Sequence, residues 1–158
     1  MKKFFAMLLV FLAAINADAQ FTEGTKYLGT SLTNLGMSYN TKSKFRFGLT
    51  AEGGYFFADN FMARAYAGYE HQKDVDNFNI GAGLRYHILQ NGLFLGAGVE
   101  YAHFSPKAND FLIPVEIGYT FYLNHYLAVE PAVYYKMSTN DFSDGSTVGL
   151  KVGLGFYF

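Results

Sequence analysis

Residues 78–88 read Phe78-Asn79-Ile80-Gly81-Ala82-Gly83-Leu84-Arg85-Tyr86-His87-Ile88. Every second residue is apolar, and between them stand Asn, Gly, Gly, Arg and His. A side-chain period of two marks a β-strand with one greasy and one polar face, because a helix returns to the same face only after 3.6 residues. The alternation recurs in 44–57, where Phe45, Phe47, Leu49, Ala51, Tyr55 and Phe57 oppose Lys44, Arg46, Gly48, Thr50, Glu52 and Gly54. It recurs again in 61–70, 93–102, 111–122, 127–136 and 147–158, segments about ten residues long, the length of a strand that crosses a bilayer at a tilt. The segment 26–39 changes parity between Leu32 and Leu35, which predicts a bulge at 33–36. Eight strands and no helical stripe follow.

Short connections are expected at 58–60, 89–92 and 123–125, and longer ones at 71–77, 103–110 and 137–146, with a shorter one at 40–43. Short and long connections therefore fall on opposite ends of one up-and-down sheet. Asn91-Gly92 predicts a two-residue type I′ turn that pairs Tyr86 with Ala97, Leu84 with Val99 and Arg85 with Gly98. Three-residue loops at the other two turns pair Phe57 with Phe61 and Phe121 with Leu127. Each pairing sets like faces opposite one another, as register requires.

The chain has 158 residues, 51% hydrophobic, 19% aromatic and 16% charged, with Lys+Arg 12 against Asp+Glu 13. That length suits one domain. Without a basic cluster it has no footprint for nucleic acid. Zero Cys excludes a disulfide scaffold and a thiol nucleophile. Met1-Lys2-Lys3, the apolar run 4–15 and Ala17-Asp18-Ala19 read as a secretory signal, 1–19, cleaved after Ala19 to leave a domain of 20–158. The run is too short for a spanning helix.

Which face points inward separates a soluble lipocalin-like carrier from a membrane barrel. The polar face holds Gly48, Gly54, Gly68, Gly81, Gly83, Gly96, Gly98, Gly118, Gly149, Gly153 and Gly155. Solvent has no use for such small residues, whereas a narrow eight-stranded lumen needs them beside long side chains. The same face carries Arg46, Arg64, Arg85, Lys136 and Lys151 with Glu52, Glu70, Glu100, Glu116 and Glu130, a balanced set expected to form a lumen charge network. Aromatic residues gather at the strand ends as interfacial girdles. Tyr39, Phe45, Tyr69, Phe78, Tyr101, Phe111 and Tyr135 stand at the long-loop end; Tyr55, Phe57, Phe61, Tyr86, Phe121, Phe156 and Phe158 stand at the short-turn end.

The chain finishes on an amphipathic strand whose Phe156 and Phe158 share the greasy face. This resembles the assembly signal of Gram-negative outer-membrane proteins. With the secretory start and eight alternating segments, the whole mature chain resembles a small outer-membrane β-barrel of the OmpA/OmpX type, similar to those of Bacteroidetes. The expected fold is all-β: an eight-stranded antiparallel up-and-down transmembrane barrel with a polar, side-chain-filled lumen. The resemblance implies an outer-membrane bilayer with lipopolysaccharide, insertion by the barrel-assembly machinery, both termini in the periplasm, a monomer and no cofactor. It names no extracellular partner.

Little chemistry is specified. His71 with Asp74 and Asp76, and His103 with Ser105, are expected in outward loops, and a lipid A-modifying enzyme is the alternative function they suggest. Their spacing enforces no geometry, so no catalytic residue is assigned. His71, His87, His103 and His125 are scattered without metal-ligand spacing, and no metal site is assigned either. His87 belongs with the lumen. Eight strands exclude a wide pore, because open channels need about 16–18.

Overall fold

A computed structural model of the protein describes residues 21–33, 47–72, 75–88, 91–104, 108–140 and 146–158. The strands are β1 (Lys26–Thr33), β2 (Phe47–Ala58), β3 (Phe61–Gln72), β4 (Val75–His87), β5 (Leu93–Phe104), β6 (Ala108–Tyr119, continued after Thr120 by Phe121–Tyr122), β7 (Leu127–Ser138) and β8 (Thr147–Tyr157). Each pairs antiparallel with the next, and β1 pairs with β8, so the sheet closes. Closure leaves no unpaired edge, the condition for placing strands in hydrocarbon, where no water is present to satisfy backbone groups.

Register partners from Lys26 lead through Tyr55, Ala63, Leu84, Ala97, Val115 and Tyr135 to Val148. Across the closing seam Lys26 instead exchanges hydrogen bonds with Phe158, at 2.7 and 3.0 Å. The displacement from Val148 to Phe158 is a stagger of ten positions around the barrel. Such a shear goes with strands tilted by about 35–45°. Beside prolines the ladder is interrupted, among the described residues, between Ala97 and Glu100 on β5 opposite Pro114, and between Gly118 and Phe121 on β6 opposite Pro131. Proline has no N–H to give.

The greasy face points out. Leu49, Val99, Ile117 and Leu154 are exposed, Val99 by 61%, while Glu52 and Arg85 are buried, Arg85 to 1%. That arrangement is the inverse of a lipocalin-like cup, so the carrier reading is overturned. All described girdle residues face outward, and several meet across strands: Phe61 and Tyr86 at 4.6 Å between ring centroids, Tyr101 and Phe111 at 5.3 Å. Tyr39 and Phe45 lie outside the described residues, as do the bulge expected at 33–36 and the cleavage after Ala19.

Three turn readings need correction. At 89–92 the pairs are Tyr86 with Leu95, Leu84 with Ala97 and Arg85 with Gly96, two positions from the expected register. The loop is longer than a type I′ turn: Ile88 N–H donates to the Leu93 carbonyl, and only Gly92 has positive φ, at 88°, where type I′ needs it at both central residues. Phe121 pairs with Val129, not Leu127, because Asn124 Oδ1 accepts from the N–H groups of Tyr126 and Leu127 and draws the loop to 124–126. Phe57 is bulged out, so Ala58 pairs with Phe61, and Asn60 takes a φ of 67° in the tightened turn. The two register shifts of two residues leave every side chain on its expected face.

Two of the longer connections, expected at 71–77 and 103–110, are shorter than expected. His71 pairs with Asp76, Gln72 with Val75, His103 with Asn109 and Phe104 with Ala108, so these residues are on strands and not in loops. A ladder can continue past the hydrocarbon, where polar side chains are solvated and no longer signal loop.

Replacing Val99, an outward residue near the middle of β5, by Arg puts a charge against acyl chains. Denaturant unfolding in lipid vesicles is expected to show a loss of about 2–4 kcal/mol, against little change for a polar substitution at a turn residue such as His125.

Candidate functional site

Alternation directs one side chain in two from each strand into a space too narrow for all of them to be large. Where one strand sends in a long side chain, its neighbour offers glycine. A Cβ on Gly96 would stand 2.6 Å from Glu116 Cγ, one on Gly81 2.5 Å from the Tyr66 ring, and one on Gly118 would meet Phe94 Cζ. At Gly83 and Gly98, opposite one another on β4 and β5, the obstacle is backbone: the added carbon would meet the Ala97 carbonyl oxygen, or lie 2.5 Å from that of Ala82.

Into that space project Glu52 (β2), Arg64 (β3), Arg85 (β4), Glu116 (β6), Glu130 (β7) and Lys151 (β8), all buried. Arg64 Nη1 lies 3.1 Å from Glu52 and 2.8 Å from Glu116. Arg85 reaches Glu52 at 3.4 Å, Glu116 at 3.3 Å and Glu130 at 3.0 Å. Lys151 Nζ lies 3.4 Å from Glu52 and 2.5 Å from Glu116. Glu52 and Glu116 thus each meet the same three cations, and the brace ties six staves across the lumen. A second cluster lies towards the long connections, where Lys136 Nζ contacts Glu100 at 2.7 Å and Glu70 at 3.8 Å, and Asn79 Nδ2 donates to Glu100 at 2.9 Å. Nine of the ten expected network residues are therefore brought together; Arg46 lies outside the described residues.

At the short-turn end the lumen is aromatic, which the sequence reading missed. Phe21, Phe56, Met62, Phe94 and Tyr157 are fully buried there with Tyr27 and Ala128. The Phe21 ring stacks on the His87 imidazole at 3.8 Å between centroids and 20° between planes, with Tyr157 at 5.8 Å and Tyr122 at 5.9 Å. The segment before β1 is tied in place by Asn60 N–H donating to the Phe21 carbonyl and Glu23 N–H to Asp59 Oδ1. Arg85 and Glu130 join the two regions. The Arg85 guanidinium lies 4.3 Å from the Phe94 centroid, and Glu130 accepts from the hydroxyls of Tyr27, at 2.8 Å, and Tyr157.

Of the residues considered for hydrolytic chemistry, the described side chains of Asp76 and His103 make separate contacts. Tyr69 hydroxyl donates to Asp76 at 2.7 Å, and His103 Nδ1 is 2.6 Å from Asn109 Oδ1, both exposed. Asp74 and Ser105 lie outside the described residues, and His125 is exposed in the 124–126 loop.

Against solved structures, the chain is similar to the N-terminal β-barrel domain of Pseudomonas aeruginosa OprF, with a TM-score of 0.69 and 13% identity over 86% of this chain and 98% of that one. The fold is that of a small eight-stranded outer-membrane β-barrel. It is also similar to Neisserial surface protein A, at a TM-score of 0.64 and 13% identity over 85% and 96% of the two chains. Pseudomonas aeruginosa OprG gives 0.60 and 14% over 90% and 99%. No family model and no curated protein matches the sequence. The OmpA/OmpX-like resemblance therefore rests on architecture, which these barrels share at identities too low to carry residue roles. The barrel's enclosed ionic brace and glycine-lined wall are properties of this sequence.

Arg85→Met removes a guanidinium that faces three carboxylates and strands their charge in the lumen. A loss of about 3–5 kcal/mol is expected in denaturant unfolding. The double variant Arg85→Met, Glu130→Gln removes one of the stranded charges and is expected to regain part of that loss.

Proposed function

We propose that this barrel is an integral outer-membrane protein with a structural or surface-interaction role, no open channel and no catalytic activity. Its apolar belt faces the bilayer and its lipopolysaccharide, both termini lie in the periplasm with the short turns, the barrel-assembly machinery inserts it, and it works as a monomer. The observation that carries this reading is the lumen itself: three cations and three carboxylates span it within 2.5–3.4 Å of one another. An eight-stranded interior is just wide enough for such side chains to fill. Phe156 and Phe158 at the last strand, exposed on the outer face, suit the terminal signal read by the assembly machinery. Catalysis is disfavoured by the separation of Asp76 and His103 into two exposed pairs, Asp76 with Tyr69 and His103 with Asn109.

Two measurements on purified protein test this reading. In SDS gels the unboiled barrel is expected to migrate apart from the boiled chain, and in planar bilayers it is expected to carry no sustained current. A stable open conductance would contradict the closed lumen. Altered lipid A mass in cells expressing the protein, abolished by His103→Ala, would contradict the non-enzymatic role.

A further inference from the structure

The two halves of the lumen differ in what they can hold. Towards the long connections lies a cavity of about 40 Å³ lined by Ser31, Thr33, Thr50, Asn79, Lys136 and their neighbours. Ser31 Oγ, Thr33 Oγ1 and Asn79 Oδ1 are buried there without a hydrogen-bond partner, although their residues are no more than 6% exposed. Polar atoms left in this state each cost free energy unless water satisfies them. A cavity above about 10–15 Å³ with two to four polar partners is large enough for a water. Among the described residues the short-turn half is filled by Phe21, Phe56, Phe94, Tyr157 and Met62, and although His87 Nδ1 and Nε2 also lack a hydrogen-bond partner there, the imidazole is stacked face to face on Phe21 with the Phe56 and Phe94 rings beside it. Exposure grades the same way along the axis: the side chains of Lys136 and Glu70 are 16% and 13% exposed, against 1% for Arg85.

We propose that the lumen is a blind vestibule: water enters from the long-loop end as far as the Arg64–Arg85 brace, and an aromatic stopper centred on Phe21 closes the short-turn end. This rests on the closed-barrel reading above and adds a direction to it. Ser31, Thr33 and Asn79 bind the water, and the brace marks the limit of hydration. Phe21 stands outside the strands, five positions before β1, held by one backbone hydrogen bond from Asn60 N–H and by ring contacts, so this single side chain determines whether that end is dry.

The chain has no cysteine, so single thiols report access without background. Thr50→Cys places a thiol on the cavity wall, and Ala128→Cys places one in the stopper, where Ala128 is fully buried. In detergent micelles, where both ends of the barrel meet solvent, Ag⁺ is the probe, and its reaction is read as protection from thiol mass-tagging after denaturation. Thr50→Cys is expected to react at least about a hundredfold faster than Ala128→Cys, whose exposure requires local opening. Adding Phe21→Ala is expected to raise the Ala128→Cys rate towards that of Thr50→Cys, and the heat-dependent gel shift confirms that each variant is folded. If Phe21→Ala fails to fold, Phe21→Leu, which keeps bulk but loses the stack, is expected to give an intermediate rate. Equal rates at the two thiols, or an Ala128→Cys rate unmoved by either Phe21 variant, would overturn the vestibule. A sustained current from the unaltered barrel would instead sink the closed-barrel reading beneath it.

Discussion

Arg85 keeps its charge at any pH a protein survives, and it stands in the middle of a cylinder whose outer wall is made for hydrocarbon. Its charge has to be neutralised inside, and the surrounding structure answers that requirement. Glu52, Glu116 and Glu130 approach it from three different strands at 3.0–3.4 Å, a convergence only a closed sheet can supply. The carboxylates in turn need Arg64 and Lys151. Glycine then becomes necessary on the facing wall, since a side chain at position 96 would collide with Glu116. Small residues, paired charge and closure are one constraint seen from three sides.

The outer wall is simpler. It needs only apolar residues at alternate positions and aromatic residues near the interfaces, and Val, Ile, Leu, Phe and Tyr satisfy both this and strand propensity. A slip of two positions at a hairpin does no harm to it. The interior is different in kind at its two ends, aromatic below the brace and polar with a cavity above it.

Much of this was legible in the sequence because a period of two survives errors in loop length. The registers expected at Asn91-Gly92 and at 123–125 were each off by two residues, yet Arg85, Glu100 and Glu130 were correctly placed inside, because parity is conserved by such shifts. What was not legible follows from the same rule. Phe56, Phe94 and Tyr157 stand on the polar parity, and their signal, three bulky aromatics on the inner face near the short turns, was present but masked by the glycines and charges around them. Phe21 precedes the first strand and has no periodicity to betray it. His71, Asp76 and His103 looked like loop residues because they are polar, whereas strand pairing continues beyond the length an apolar pattern marks. The long sequence separations between partners such as Tyr27 and Glu130, 103 positions apart, are a product of closure, which no local pattern encodes.

The orientation of the wall can be tested residue by residue along β5. With single spin labels at non-glycine positions from 94 to 102 in lipid bilayers, collision with dissolved oxygen should be high at Leu95, Ala97, Val99 and Tyr101 and low at Phe94, Glu100 and Ala102. The opposite phase, or no alternation, would contradict an ionic interior enclosed by an apolar wall.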